Sequence, residues 1–361
     1  MKILILGGTG AMGRYLIKLL EDDMDVESVD VTSRRKNASF GKVRYLQGNA
    51  KDNSFIKKVL KSTEYDAVVD FMSYGTQEFS ERVDFLLDST GHYMFLSSCR
   101  VYADFGTKPI VESSPRLLDV CKDEDYLRSD EYALAKAREE DILKSKVKKN
   151  WTIIRPYITY GDERLQLGIY EKEQWLFRAL NGKPIVFSEE IGKNYTTLTW
   201  GGDVSRYIGK LLKIKATGET YHITGECKVK WDDVLALYLQ TIENLTGVRP
   251  TVFMANPSYV PHSQKYQYRV DRCYNRVFDN SKLREIVGEK LEFAAIEKIS
   301  ECLINFVDSN RPFRPINWIY EAEMDRITHS RQQISKICGL KNKIRYLVYR
   351  YVPTLVSSTG G

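Results

Sequence analysis

Lys2-Ile3-Leu4-Ile5-Leu6-Gly7-Gly8-Thr9-Gly10-Ala11-Met12-Gly13 opens the chain, and its reading decides the fold. Four apolar residues run straight into a glycine turn, and residues 13–21 continue with helical periodicity. A short apolar run bounded by glycines reads as a strand buried on both faces. Strand, glycine loop and helix in that order match the dinucleotide fingerprint, in which each glycine has a mechanical task. Gly7 makes the tight turn, Gly10 lets backbone approach a pyrophosphate, and Gly13 lets the helix pack on the strand. Thr9, Ala11 and Met12 complete the turn, where the N–H groups of a helix N-terminus face a phosphate.

The pattern repeats outward from this loop. Apolar runs at 26–32, 43–46, 67–71, 92–97 and 151–155 alternate with amphipathic stretches such as 131–143. Such alternation predicts βαβ units and an α/β, Rossmann-type doubly wound parallel sheet. After Pro156 the pattern is irregular, with helical stretches at 172–180, 204–213 and 231–241. The expected domains are a dinucleotide-binding domain over 1–156, with contributions from 195–225, and a smaller substrate-binding domain over 157–325. A basic helical tail over 326–361 follows.

The second strand is followed by Ser33-Arg34-Arg35. NAD-specific folds usually end this strand with an acid on the ribose 2′-OH. A neutral residue with guanidinium groups beside it suits a 2′-phosphate, because Arg pairs with it bidentately. NADP is therefore preferred over NAD. Asp30 is the ribose acid only if the strand stops two or three residues earlier.

Tyr132-Ala133-Leu134-Ala135-Lys136 places a tyrosine and a lysine on one helix face. Phe95-Leu96-Ser97-Ser98-Cys99-Arg100-Val101-Tyr102 supplies hydroxyls at the carboxyl end of a central strand. Together they read as a proton-transfer unit. Tyr132 exchanges a proton with a substrate oxygen, the Lys136 ammonium favours the phenolate and binds ribose, and Ser98 orients the same oxygen.

GGTGAMG, SSCRVY, YALAK and IRPYITYG, in this order, resemble the signatures of extended short-chain dehydrogenases/reductases that act on nucleotide-activated sugars. The resemblance spans about residues 1–290. It selects Ser98 over Ser97 as the catalytic hydroxyl. It implies that Asn49 and Ala50 flank adenine, that Phe71, Met72 and Ser73 wall the cofactor ribose, and that Pro156, Tyr157 and Ile158 lie against nicotinamide. Asp203, at the family's usual helix start, is read as an N-cap.

Departures from the family pattern matter. The 4,6-dehydratase branch carries an Asp-Glu pair after its hydroxyl, whereas Cys99-Arg100 stands here, so dehydration lacks its acid and base. Ala103 replaces the usual glycine, and the long spacing from Ser98 to Tyr132 predicts a covering loop around 108–126. A nucleotide diphosphate needs cations and a base needs stacking, so Arg100, Arg164, Gln174, Trp175 and Arg178 are substrate candidates, with Arg269 and Arg272 after them. The expected activity is hydride-transfer modification of a nucleotide sugar, as an epimerase or a keto-sugar reductase. The alternative is a non-catalytic NADP-binding scaffold or a nucleic-acid-binding protein on the same fold.

The 361 residues carry 54 Lys+Arg against 48 Asp+Glu, a net charge of +6. Seven of those cations and no acid fall in 326–361, so the body is close to neutral. Ile334, Ile337, Lys341, Ile344, Val348 and Tyr351 recur at three- and four-residue steps, which predicts a largely apolar stripe, although Gly339 interrupts it. Packing on its own domain or a partner subunit, and contact with an anionic membrane surface, are both open for this tail. Nucleic acid is not expected as a partner, since the tail shows no recognised binding motif. A homodimer is expected. Six scattered cysteines and four scattered histidines argue for reduced thiols in a cytoplasmic protein and against a metal centre. No run of 18 apolar residues suggests a membrane span, and no cleavage site follows the first apolar run.

Overall fold

In the computed structural model, which describes residues 1–104, 106, 108–255 and 264–352, seven parallel strands form one sheet. They are β1 (Lys2–Leu6), β2 (Ser28–Ser33), β3 (Val43–Gln47), β4 (Tyr65–Asp70), β5 (Thr90–Leu96), β6 (Trp151–Pro156) and β7 (Glu219–Ile223). Their spatial order is β7-β6-β5-β4-β1-β2-β3. The winding direction reverses between β1 and β4, and open α/β sheets take ligands at the carboxyl ends of the strands at such a switch point.

Alternation along β1 divides the core. Ile3 and Ile5 face α1 (Gly13–Asp22) and α4 (Gly201–Ile214), packing with Leu16, Ile17, Val204 and Ile208. Leu4 and Leu6 face the other way, into a cluster with Ile56 and Val59 of α2 (Asn53–Ser62) and Leu143 of α3 (Tyr132–Ser145). Each such aliphatic side chain contributes roughly 1.5–3 kcal/mol by leaving water. That is why β1 reads as a continuous apolar run.

The expected strands are all present, displaced by a few residues at their ends. β7 was not expected: Glu219-Thr220-Tyr221-His222-Ile223 is polar at alternate positions, and it pairs with β6 from Glu219↔Thr152 to Ile223↔Pro156. Asp203 is not an N-cap. α4 begins two residues earlier, and the Asp203 carboxylate instead accepts from the Ala294 N–H (2.7 Å).

Two compact units emerge: 1–163 with 196–228 and 275–299, and 164–195 with 229–274 and 300–361. The expected division already gave the first domain a contribution from 195–225, the segment that carries α4 and β7; it did not include the further return of 275–299 to this unit.

The second unit holds a parallel pair, Ile185–Ser188 with Val252–Ala255, and the helices α5 (Trp231–Thr246), α6 (Trp318–Ile327) and α7 (Leu340–Tyr351). The expected tail belongs to this unit, and its residues 353–361 lie outside the described residues. Its expected stripe is not one helix. Ile334–Lys336 is a 3-10 turn, and Gly339, at φ +83°, separates it from α7. Among the described residues no helix is long and apolar enough to cross a membrane.

Candidate functional site

The glycine loop is built as a cradle. Gly7 sits at φ +74° and donates its N–H to Thr32 Oγ1 (3.1 Å), tying the turn to β2. A Cβ on Gly13 would lie 2.4 Å from the Gly8 carbonyl oxygen, so helix and loop pack backbone to backbone. A Cβ on Gly10 would meet nothing within 4 Å, which leaves open space above the turn. Ser205 Oγ donates to the Met12 carbonyl (2.8 Å), and Arg14 Nε to the Thr9 carbonyl (3.2 Å). No side chain caps α1 and no acid stands in its first turn, so its terminus presents positive dipole to the open space.

The end of β2 lacks a carboxylate. Ser33 Oγ accepts from the Arg35 N–H (3.2 Å) and from Asn37 Nδ2 (2.8 Å), while Arg34 and Arg35 are exposed. Asp30 is buried and bound by Arg44 Nε (2.8 Å) and the Tyr65 hydroxyl (2.5 Å), so it is not a ribose acid. On the neighbouring strand ends, Asn49 is exposed, Ala50 is buried, and Phe71, Met72 and Ser73 follow β4. Met72 Sδ stands 2.6 Å from where a Gly7 Cβ would be, so this wall touches the glycine turn.

Beneath that wall lies a buried polar cluster. Asp70, fully buried at the end of β4, accepts from the Met72 N–H (2.9 Å) and from the hydroxyls of Tyr74 (3.0 Å) and Tyr93 (2.8 Å). Burial raises its carboxyl above the usual range against those hydrogen bonds. Lys136 Nζ reaches the Met72 carbonyl (3.3 Å) and Glu139 Oε2 (2.9 Å), and sits 4.5 Å from the Phe95 ring centre. Desolvation pushes the Glu139 carboxyl up to about 7, even beside that ammonium.

The two adjacent hydroxyls have different environments. Ser97 Oγ donates to buried Glu140 Oε1 (2.5 Å) and is thereby committed. Ser98 Oγ accepts from the Arg100 N–H (3.2 Å), which uses a lone pair and not the proton. Arg100 crosses to α3, pairing with Glu131 Oε1 (2.7 Å), with its guanidinium 5.2 Å from the Tyr132 ring centre. Glu131 caps α3 through the Ala133 N–H (2.8 Å) and accepts from the Tyr126 hydroxyl (3.0 Å), so the 108–126 segment braces the start of this helix. Tyr132, in its first turn, is 36% exposed. The structure thus brings β5's end, Tyr132 and Lys136 to the carboxyl edge beside the glycine loop.

Pro156 ends β6, and Ile158 beyond it adopts φ +32°, a conformation costing on the order of 1–3 kcal/mol for such a residue. Thr199 holds it, donating its N–H to the Ile158 carbonyl (3.1 Å) and its hydroxyl to the Tyr157 carbonyl (3.0 Å).

Two of the expected substrate residues are core residues of the second unit, a correction. Trp175 is buried against Tyr238 at 4.2 Å between ring centres and donates Nε1–H to the Leu165 carbonyl (3.1 Å). Arg178 is fully buried, bound to Glu321 and Asp325 (2.9 Å each) and to the Pro184 carbonyl (2.9 Å). Arg164 is partly exposed and pairs with Glu171 (2.8 Å). Arg272 is buried and donates to the Gly168 carbonyl (3.0 Å). Gln174 accepts from the Glu171 N–H (3.0 Å).

Sequence reasoning missed the framework that holds the site. Glu140 binds Arg155 (Nε, 2.8 Å), Arg155 binds the Tyr102 hydroxyl, and Tyr102 meets His222 Nε2 (2.5 Å). Burial pushes His222 down to about 3, so it is a neutral partner. Only the i, i+4 placement of Glu140 after Lys136 was visible, and nothing in one sequence pairs it with residue 155. Among the described residues no group of three or more His, Cys, Asp and Glu side chains is placed to hold a metal ion.

A model of the NAD dependent epimerase/dehydratase family matches residues 3–223. The chain is 26% identical over 320 residues to the chloroplast stem-loop binding protein of 41 kDa b of Arabidopsis thaliana, covering 83% of this chain and 78% of that protein. The Bordetella bronchiseptica enzyme WbmH, crystallised in complex with NAD+, shares the fold at TM-score 0.67 and 15% identity, over 86% of this chain and 99% of that one. The UDP-glucuronic acid 4-epimerase of Bacillus cereus, in complex with NAD, does so at TM-score 0.63 and 16% identity, over 86% and 99%.

Proposed function

Because the chain belongs to the NAD dependent epimerase/dehydratase family, we propose that it binds a nicotinamide dinucleotide and modifies a nucleotide-activated sugar by hydride transfer. What supports this reading is a chain of contacts at the carboxyl edge: Arg100 joins Ser98 to Tyr132, and Lys136 reaches Met72, whose side chain abuts the glycine turn at Gly7. The uncapped α1 terminus and the space over Gly10 fit a pyrophosphate. Bound nicotinamide supplies the hydride acceptor or donor. Ser98 orients the sugar oxygen, Tyr132 gives or takes the proton at that oxygen, and Lys136 favours the phenolate while its ammonium faces the ribose wall at Met72.

Arg100 stands where a dehydratase needs an acid, so the reading is epimerisation through a transient keto sugar, or net reduction of a keto sugar. Its guanidinium beside Tyr132 suits the substrate's diphosphate or a sugar hydroxyl. Exposed Arg34 and Arg35, with no carboxylate at the end of β2, support NADP, whereas the related structures described above hold NAD. A second reading, nucleic-acid binding on the same fold, is favoured by the likeness to a stem-loop binding protein.

One experiment separates these. NAD+ and NADP+ are titrated calorimetrically into the protein and its Tyr132→Phe variant, and both proteins are then incubated with UDP-, GDP-, CDP- and dTDP-sugars, with and without NADPH. The expected outcome is cofactor binding by both proteins and loss of turnover by about 10²-fold or more in the variant. Product without cofactor consumption marks an epimerase, and stoichiometric NADPH loss marks a reductase. A protein that binds neither dinucleotide but does bind a stem-loop RNA replaces the first reading with the second.

A further inference from the structure

α7 is anchored on one side and bare on the other. Tyr346 is fully buried, its hydroxyl donating to Asp325 Oδ2 (2.7 Å) and accepting from the Gln332 N–H (2.8 Å). Asp325 is itself held by Arg178 (2.9 Å) and Lys183 (2.8 Å), so a buried ionic network ties the helix to its unit. On the opposite side Leu340, Ile344, Leu347 and Tyr351 recur at steps of four, three and four, and so form one stripe. They are 74%, 53%, 40% and 54% exposed. At about 100° per residue, Lys341 falls on one flank of this stripe and Lys343 and Arg350 on the other. No Asp or Glu occurs from Arg326 to Val352.

We propose that this face of α7 lays the protein on an anionic lipid surface. The stripe needs an apolar environment, and its cationic flanks need anions at the same depth. The headgroup boundary of an anionic bilayer offers both across the width of one helix. RNA offers the phosphates but no apolar volume for Leu340, Ile344 and Leu347. A second copy apposed through the same stripe brings Lys341, Lys343 and Arg350 against their own counterparts, with no acid on the helix to neutralise them. The contact is peripheral, with α7 in the plane of the interface. It stands independently of the dinucleotide chemistry.

Flotation of the full chain with phosphatidylcholine/phosphatidylglycerol vesicles, against pure phosphatidylcholine vesicles, reads this surface. The chain is expected to float with the anionic vesicles only. Lys341→Gln with Lys343→Gln weakens partitioning roughly 25-fold, at about fivefold for each cation near the surface. Ile344→Ser with Leu347→Ser, both at exposed positions, weakens it at least as much while leaving the melting temperature unchanged. Absence of flotation overturns the proposal, as does flotation that survives both variants. Two other results overturn it as well: stem-loop RNA binding lost in the lysine variant alone, or a dimer in sedimentation that the Ile344→Ser, Leu347→Ser variant dissolves.

Discussion

A carboxylate with no route to water sits one helical turn along α3 from Lys136. Glu139 is fully buried, its Oε2 bound to Lys136 and its Oε1 without a hydrogen-bond partner among the described residues. Burial holds its carboxyl near 7 in the fold against the ordinary 4.5, so the folded chain binds this proton more tightly than the unfolded one. Stability from this group is present below about pH 4.5 and is lost as pH rises toward 7. Glu139→Gln is expected to flatten that fall, by a difference on the order of 1–3 kcal/mol between mildly acidic and mildly alkaline pH. Urea unfolding of both proteins across that range measures it, and parallel profiles would refute the assignment. Glu139 is also the ion partner of Lys136, so the same carboxyl links stability to a residue of the proposed proton-transfer unit. Tyr132 and Lys136 stood out in the sequence as a pair four residues apart on one helix face, and Ser98 was singled out over Ser97 by the family resemblance. Glu139 was not, since a second acid in the Glu139-Glu140 pair looks like solvated helix surface until packing buries both.

At the scale of elements, the β1 turn and α1 were legible almost to the residue, because apolar run, glycines and helical period all point the same way. β7 was not, because an edge strand of five residues with Glu, Thr and His alternating is indistinguishable from loop in one sequence. α7 was half legible: its three- and four-residue period was visible, but the buried Tyr346 face is set by contacts with α6 that no periodicity encodes. The glycine turn permits a separation of fold from binding. Gly10 has room for a methyl group, whereas Gly13 does not. Gly10→Ala is therefore expected to unfold at the parent's temperature, yet to bind the dinucleotide at least tenfold more weakly, because the methyl group occupies the approach of the pyrophosphate. Calorimetric titration beside a thermal melt tests this. Unchanged affinity would mean that the phosphates do not approach this glycine.

At the scale of the whole molecule, the +6 charge carries no information about the fold, since its excess resides in the C-terminal segment of the second unit. A contribution from 195–225 was part of the expected division, but the return of 275–299 to the first unit was illegible for a related reason: hydrophobic period is local, and carries no record of which distant segments pack together. The same locality misled the reading of Arg178. As a cation shortly after the nicotinamide-side motif it looked like a diphosphate ligand, but its guanidinium lies between Glu321 and Asp325, about 150 residues later in the chain, with Lys183 on the same carboxylates. Removing one member of such a buried network leaves charge uncompensated, which costs about 3–5 kcal/mol. Arg178→Met is expected to lower the urea midpoint accordingly while leaving dinucleotide affinity intact, because none of its partners belongs to the unit that carries the glycine turn. A variant with parental stability and a KM for nucleotide sugar raised tenfold or more would return Arg178 to the substrate and undo the structural assignment.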